Sequence, residues 1–175
     1  MNTISRRLFS VSYHCAQNPR VWLTVSHNDN KIGDMVFELY ANKNPDHAAH
    51  FQALVSGKDG RSYVGSEFNK GMAGLGVCAG KLEEENYGVA GVWNPDGDLT
   101  MRHHKRGILS ATIDGTNRTG SEFMITFGEA NMLNGSQTVL GELVEGDHVL
   151  AEIEKHVDRH GKVASGLKIS AAGSK

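Results

Sequence analysis

The chain has 175 residues, 39% hydrophobic and 22% charged, with 21 glycines and 3 prolines, the make-up of one ordinary globular domain rather than a disordered or fibrous chain. Eighteen basic against twenty acidic side chains leave a net charge of −2, which offers a phosphate backbone no overall attraction and argues against direct nucleic-acid binding as a main role. No apolar run approaches the roughly 18–20 residues of a membrane-spanning helix, and Cys15 and Cys78 lie far apart and outside any C-x-x-C pair, so neither a disulfide framework nor a zinc knuckle is expected.

From Met1 to Asn28 there is no acidic residue, while Arg6, Arg7 and Arg20 are interspersed with Ser5, Ser10 and Ser12. Arg-rich, Ser-rich and acid-poor is the composition of a mitochondrial transit peptide, and S-R-R-L-F-S-V-S has the residues for a short amphipathic helix. The plain alternative is a basic tail on a cytosolic protein. Residues 1–20 are therefore read as a targeting-like arm and residues 21–175 as the folded domain.

Val21, Leu23 and Val25, then Met35, Phe37 and Leu39, recur with the period of two of strands, and N-D-N-K-I-G between them suggests an antiparallel hairpin. In N-P-D-H-A-A-H-F-Q-A-L-V-S-G, Asn44 is placed to cap a helix, Pro45 suits its first position and Asp46 its positive end. Ala48, Phe51, Leu54 and Val55 make the buried stripe and Gly57 the stop. Short apolar runs follow at Gly74–Cys78, Ile108–Ile113, Phe123–Phe127, Val139–Val144 and Leu167–Ala171. Asp147 is read as the cap of a second helix with Val149, Leu150 and Ile153 on one face. About seven or eight strands and two helices predict a sandwich or a closed barrel with helices over its ends.

D-M-V-F-E-L-Y-A, N-P-D-H-A-A-H-F-Q-A-L-V-S-G, S-Y-V-G-S-E-F, R-G-I-L-S-A, T-G-S-E-F-M-I-T and V-L-G-E-L-V-E-G together resemble, in this order and spacing, the cyclophilin-type peptidyl-prolyl cis-trans isomerases over about residues 21–172. The resemblance implies a mainly β fold, an eight-stranded antiparallel closed barrel capped by two α-helices. It also implies a peptide groove, and there this chain departs from the family pattern. The F-H-R motif, whose arginine stabilises the twisted prolyl bond, reads Phe68-Asn69-Lys70. Lysine keeps the charge and loses the planar multi-donor fork that can be held in place. Leu75 and Gly76 stand where the family has the phenylalanine and methionine of the proline pocket, and Cys78 where it has a glutamine. Ile113 replaces the asparagine whose backbone docks the peptide. Glu122 and Met124 replace a glutamine and a phenylalanine. Met132 replaces the tryptophan that contacts cyclosporin, so that binding is expected weak or absent; Leu133 is retained and Gln137 replaces the pocket histidine. No residue is assigned a catalytic role. Lys70 and Glu122 lie on adjacent strands in the family geometry and are expected to pair across the groove.

The stretch Lys81 to Arg106 matches the family poorly. It carries Trp93 and the basic cluster Arg102-His103-His104-Lys105-Arg106, read either as a partner-docking loop or as a solvated turn. G-L-G-V-C-A fits the G-x-G-x-x-A form of a dinucleotide fingerprint, but no helix pattern follows it. His103-His104 lacks further donors at ligand spacing. Asn117-Arg118-Thr119 and Asn134-Gly135-Ser136 match the glycosylation sequon without a secretory signal. No metal and no cofactor are expected. The reading that results is a catalytically degenerate cyclophilin-like subunit of a large mitochondrial assembly, on the matrix side, with the respiratory chain favoured. Its protein partners would be met through the arm and the 81–106 loop. Beside it stand a divergent active isomerase assisting folding and a peptide-binding groove without catalysis.

Overall fold

The computed structural model describes residues 18–58, 60–82, 98–114 and 118–175. In chain order the elements are β1 (Arg20–His27), β2 (Asn30–Leu39), α1 (Pro45–Ser56), β3 (Lys70–Met72), β4 (Gly76–Ala79), β5 (Ile108–Asp114), β6 (Arg118–Thr126), a short 3-10 helix (Asn131–Leu133), β7 (Thr138–Glu145), α2 (Asp147–Lys155) and β8 (Leu167–Ser174). The strands pair antiparallel in the order β3-β4-β6-β5-β7-β2-β1-β8. The ends of that order are brought together by the segment before β3. Glu67 bridges Lys168, the Phe68 N–H donates to Leu167 O at 3.0 Å, the Ile169 N–H to Ser66 O at 2.9 Å and the Gly65 N–H to Ile169 O at 2.8 Å. Joining the edges in this way curls the sheet into a barrel and gives edge backbone groups their partners.

The alternation of the strands sets the interior. Val21, Leu23 and Val25 of β1 and Met35, Phe37 and Leu39 of β2 point inward and are fully buried, as period-two positions on a half-buried sheet must be. A two-residue turn with positive φ at Asn28 and Asp29 joins these strands, the twist a tight hairpin prefers. Helix α1 closes one end with Ala48, Phe51, Leu54 and Val55, and α2 packs on β2 through Val149, Leu150 and Ile153. Phe51, Tyr63 and Phe123 meet at centroid distances of 5.0, 5.3 and 5.1 Å, the tilted and edge-on arrangements aromatic quadrupoles favour. The Tyr63 hydroxyl donates to Ser121 O at 2.8 Å, so its polar tip is satisfied inside the core.

Two end signals differ from the sequence expectation. Asn44 stands at the N-cap of α1, but its side chain makes no cap bond. It is buried, donates to Val139 O at 3.0 Å and accepts from the Asp98 N–H at 2.8 Å, tying the loop after 97 to β7. The N-cap of α2 is Gly146, at φ 97, and Asp147 is the first helical residue. A β-carbon on Gly146 would lie 2.3 Å from Asp34 O, so the chain turns into the helix at a residue without one. The Asp147 carboxylate instead receives Arg106 Nε at 2.7 Å, while Arg106 Nη1 reaches Glu154 at 2.6 Å and Phe127 O at 2.9 Å. One guanidinium thus pins both ends of α2 to the barrel. Some strands are also longer than their apolar runs: β6 begins at Arg118 and β8 continues to Ser174, because polar outward residues belong to the ladder too. The arm read as 1–20 gives Arg20 to β1, and residues 1–17 lie outside the described residues.

Gly80, at φ +81, sits under the aromatic trio: a β-carbon there would come within 2.7 Å of Tyr63 Cε1 and 2.8 Å of Phe123. Gly80→Ala is expected to lower stability by at least about 2 kcal/mol, from overpacking and left-handed strain together. Urea denaturation of the two proteins measures it.

Candidate functional site

On the outer face of the barrel the register sets up a row of side chains across β3, β4, β6 and β5. Lys70 pairs with Cys78, Cys78 with Met124 and Met124 with Ser110, and partners in register project to the same side of a sheet. The intervening residues Val77, Ala79, Phe123, Ile125, Leu109 and Ala111 face the core. The row is where the resemblance expects the floor of a groove.

The floor is covered by the chain's own side chains. Cys78, Met124, Ala130 and Leu133 form a buried cluster, with Met72 and Leu75 packed against it. Leu133 comes from the 3-10 helix, which folds over the row and leaves Met132 76% exposed on its outer side. Thioethers and a thiol are soft and adaptable and fill irregular space well. Gly76 adds to the closeness of the walls: a β-carbon would lie 2.6 Å from Ile125 O and 3.3 Å from Met124 Cγ. No wall residue fits there without moving β4 away from β6.

The polar side of the groove is organised around Glu122. Asn69 Nδ2 donates to Glu122 Oε1 at 3.0 Å, and Thr112 Oγ1 lies 3.3 Å from Glu122 Oε2 and 3.0 Å from Glu122 O. The expected Lys70–Glu122 pair does not form. Lys70 is exposed and its side chain has no ion pair or hydrogen bond among the described residues. Asn69, next to Lys70 in the chain, reaches the carboxylate instead, and a hydrogen bond from a short amide orders fewer torsions than one from a long ammonium. Gln137 is half-buried, donates its N–H to Leu133 O at 3.0 Å and keeps its side-chain Oε1 unpartnered among the described residues. Ile113 lies opposite Thr119 beyond a bulge in β5; its side chain lies outside the described residues.

Of the site's titratable groups, Cys78 is the most displaced. Burial, then the Glu122 charge, push its thiol up to about 12, with Lys70 pulling the other way. A thiol in that range is not a nucleophile or a redox partner at neutral pH.

His103 is the residue that sequence reasoning misplaced. Weighed as a metal ligand, it is fully buried, whereas His104 is exposed and its ring meets Arg102 O at 3.0 Å. The His103 ring joins Asn134 Oδ1 at 3.0 Å through Nδ1 and Ser110 Oγ at 2.5 Å through Nε2. Because Asn134 Oδ1 only accepts, the network assigns the proton to Nδ1 and lets Ser110 donate to Nε2. The His103 N–H also donates to Asn134 Oδ1 at 2.8 Å, and His103 O accepts from Ala130 at 2.8 Å. This neutral histidine holds the 3-10 helix, and with it Leu133, down over the groove floor. Asn134-Gly135-Ser136 was the available signal, but read as a sequon it pointed elsewhere. The rest of the basic cluster is partly engaged within the chain: Lys105 pairs with Glu142 and Arg106 with Asp147 and Glu154. Trp93 lies outside the described residues.

Two measurements follow from this geometry. In a Cys15→Ser variant, Cys78 is expected to react with a thiol reagent only at the rate of unfolding, and fast labelling of the native protein would contradict its burial. For His103, burial lowers the folded-state pKa and the Asn134 contact only partly offsets it. Its contribution is therefore present above the unfolded value of about 6.5 and lost as pH falls below that. His47, buried on α1, is shifted in the same direction, so the comparison needs a single variant. His103→Gln is expected to show a flatter loss of stability than the parent between about pH 7 and pH 5, measured by denaturation at each pH.

The fold and its two helices agree with what a comparison of the sequence with known families finds. Residues 22–174 match the family described as cyclophilin type peptidyl-prolyl cis-trans isomerase/CLD. With nearly the whole chain inside that match, the protein belongs to the cyclophilin-type peptidyl-prolyl cis-trans isomerase family.

Proposed function

We propose that this chain uses the cyclophilin barrel as an interaction module and has given up useful isomerase activity. Rotation about an X–Pro bond crosses a barrier of about 18–20 kcal/mol, and a site lowers it with a donor fixed against the nitrogen that pyramidalises and with an apolar seat for the ring. The observation that carries the reading is the state of the groove floor. Met124, Cys78 and Leu133 are packed against each other, and the cation on the rim, Lys70, is a flexible ammonium held by no neighbour among the described residues. Filling the seat removes apolar area worth roughly 25 cal/mol per Å² to a bound proline, and an untethered lysine does not supply a pre-aimed fork.

The acid-free, Arg- and Ser-rich first 28 residues support import into mitochondria. The nearly balanced charge favours a protein assembly over a ribonucleoprotein, and among such assemblies we favour a respiratory complex, with the chain as an accessory subunit on the matrix side. Among the described residues no helix is long and apolar enough to cross a membrane, which fits a subunit attached through protein contacts. The arm and the 81–106 loop are the proposed contact segments. Gentle extraction and native electrophoresis test this: co-migration with a megadalton species is expected, and a free monomer from mitochondria under the same conditions would count against it.

A second reading, a divergent active isomerase, is favoured by one fact: Lys70 keeps a positive charge at the groove rim and is not neutralised by Glu122. A prolyl-peptide relaxation assay separates the two. Uncatalysed exchange takes tens of seconds, and micromolar chain is expected to change that by no more than about twofold. Lys70→Arg alone is expected to recover little, since Gly76 still brings β4 against β6. Acceleration that Lys70→Ala abolishes would restore the enzyme reading.

A further inference from the structure

We propose a second site, on the opposite side of the barrel from the groove, for a small phosphate monoester or inorganic phosphate. It begins with the register of β1. Ser26 pairs with Lys31 on β2 and with Lys168 on β8, so a serine stands between two lysines in one row across three strands. Strands lie about 4.8 Å apart, which places the two lysine backbones within reach of a common ligand above Ser26. A pocket of about 310 Å³ lies over this row, lined by Thr24, Ser26, Asp29, Lys31, Lys168, Ser170 and the Val64–Gly65 turn. That is the size of a small-ligand site.

Ser26 is the observation that points to a ligand. It is only 3% exposed although it lies on an outward row, and its Oγ has no hydrogen-bond partner among the described residues. Buried hydroxyls are nearly always partnered, and one that is not asks for an explanation. A second hydroxyl at the pocket is committed: Thr24 Oγ1 donates to Asp34 at 2.6 Å. That of Ser170 makes only a long contact of 3.4 Å to Thr24 O. Ser26 and Ser170 are thus the donors left for a ligand.

Two of the lining residues are cationic and one is acidic, and Asp34 sits on Lys31 and Glu67 opposite Lys168, so an anion is held here by displacing carboxylates from the two lysines. Each lysine rests on an aspartate, Lys168 on Asp29 at 2.7 Å and Lys31 on Asp34 at 2.9 Å. Both are surface pairs, with Asp29 85% exposed, and such pairs hold their partners weakly. A doubly charged phosphate offers each ammonium a stronger charge-assisted bond than a solvated carboxylate does, and lysine binds phosphate as a point charge from a flexible stem. Binding swings Nζ of both lysines inward over Ser26, whose hydroxyl rotates to donate. No residue of the row belongs to the groove, so the site stands whether or not the groove retains activity.

The test uses the full chain and inorganic phosphate, followed by amide chemical shifts at constant ionic strength held with chloride. Saturable shifts confined to residues 24–31, 64–65 and 168–170 are expected. Lys31→Gln with Lys168→Gln is expected to weaken binding at least tenfold. Ser26→Ala is expected to weaken it severalfold while leaving the thermal midpoint unchanged or higher, because the hydroxyl it removes has no partner in the fold. Phosphoserine and glycerol phosphate in parallel titrations identify the source: tighter binding of phosphoserine assigns a phosphorylated protein side chain, and equal or tighter binding of the others assigns a free metabolite or ion. Shifts that do not saturate, or affinity for all three that the double lysine variant leaves within twofold of the parent, overturn the site.

Discussion

The hydrogen bonds that Gly65, Ser66 and Phe68 exchange with Ile169 and Leu167 decide what every other residue of the barrel can do. A sheet joined at its edges has an inside and an outside, and the pleat assigns alternate residues to each. Phe123 is inside because Met124 is outside, and Leu109 because Ser110 is. The interior then needs large side chains in fixed rotamers, which the aromatic trio packed against Gly80 supplies. The exterior inherits rows of side chains whose composition is free to change without disturbing the fold. The Lys70–Cys78–Met124–Ser110 row and the Lys31–Ser26–Lys168 row are of this kind.

That independence lets an outward row vary while the barrel is kept. The β4–β6 and β5–β6 ladders do not depend on the outward Met124 side chain, because their bonds are between backbones. What an outward residue sets is the space above the ladder. A flexible thioether lies down on the floor beside Cys78 and beneath Leu133, where a rigid ring at that position would stand as a wall. Glu122 behaves in a related way. A half-buried carboxylate must be solvated or bonded, and Asn69 and Thr112 provide the bonds locally. The groove is therefore stable in itself, with its polar and apolar parts each satisfied from within the chain.

Electrostatics elsewhere on the surface follows the same logic of local closure. Glu38 and Glu142 face each other across β2 and β7, a like-charge pairing that on its own would weaken the ladder. Arg20 covers the first and Lys105 the second. Together with the Arg106 clamp on α2, this uses part of the 102–106 basic cluster inside the molecule and leaves Arg102 and His104 exposed. The pairs are individually weak where exposed, but Arg106 bridges an aspartate, a glutamate and a backbone carbonyl at once, and such a planar fork is more ordered than a lysine pair.

The hairpin, both helices, the barrel class and the inward residues of β1 and β2 were legible in the sequence, because period-two and helical spacing are local and hydrophobic burial enforces them. For the groove, the resemblance supplied only residue types at the positions where it expects one. The sequence alone did not reveal where those side chains go. Asn44 and Asp147 carry good capping chemistry, yet tertiary partners, Val139 and the Asp98 backbone for one and Arg106 for the other, take their side chains instead. Lys70 and Glu122 have opposite charges on neighbouring strands, yet Asn69 occupies the carboxylate. His103 looked like part of a solvated basic run and is a buried strut, because Ser110 and Asn134 approach it from segments 7 and 31 residues away. Each of these outcomes turns on which of several competent hydrogen-bonding partners the fold brings within reach, and sequence spacing carries no record of that. The row of Lys31, Ser26 and Lys168 is the same case: two local neighbours and one brought 142 residues along the chain when β8 pairs with β1.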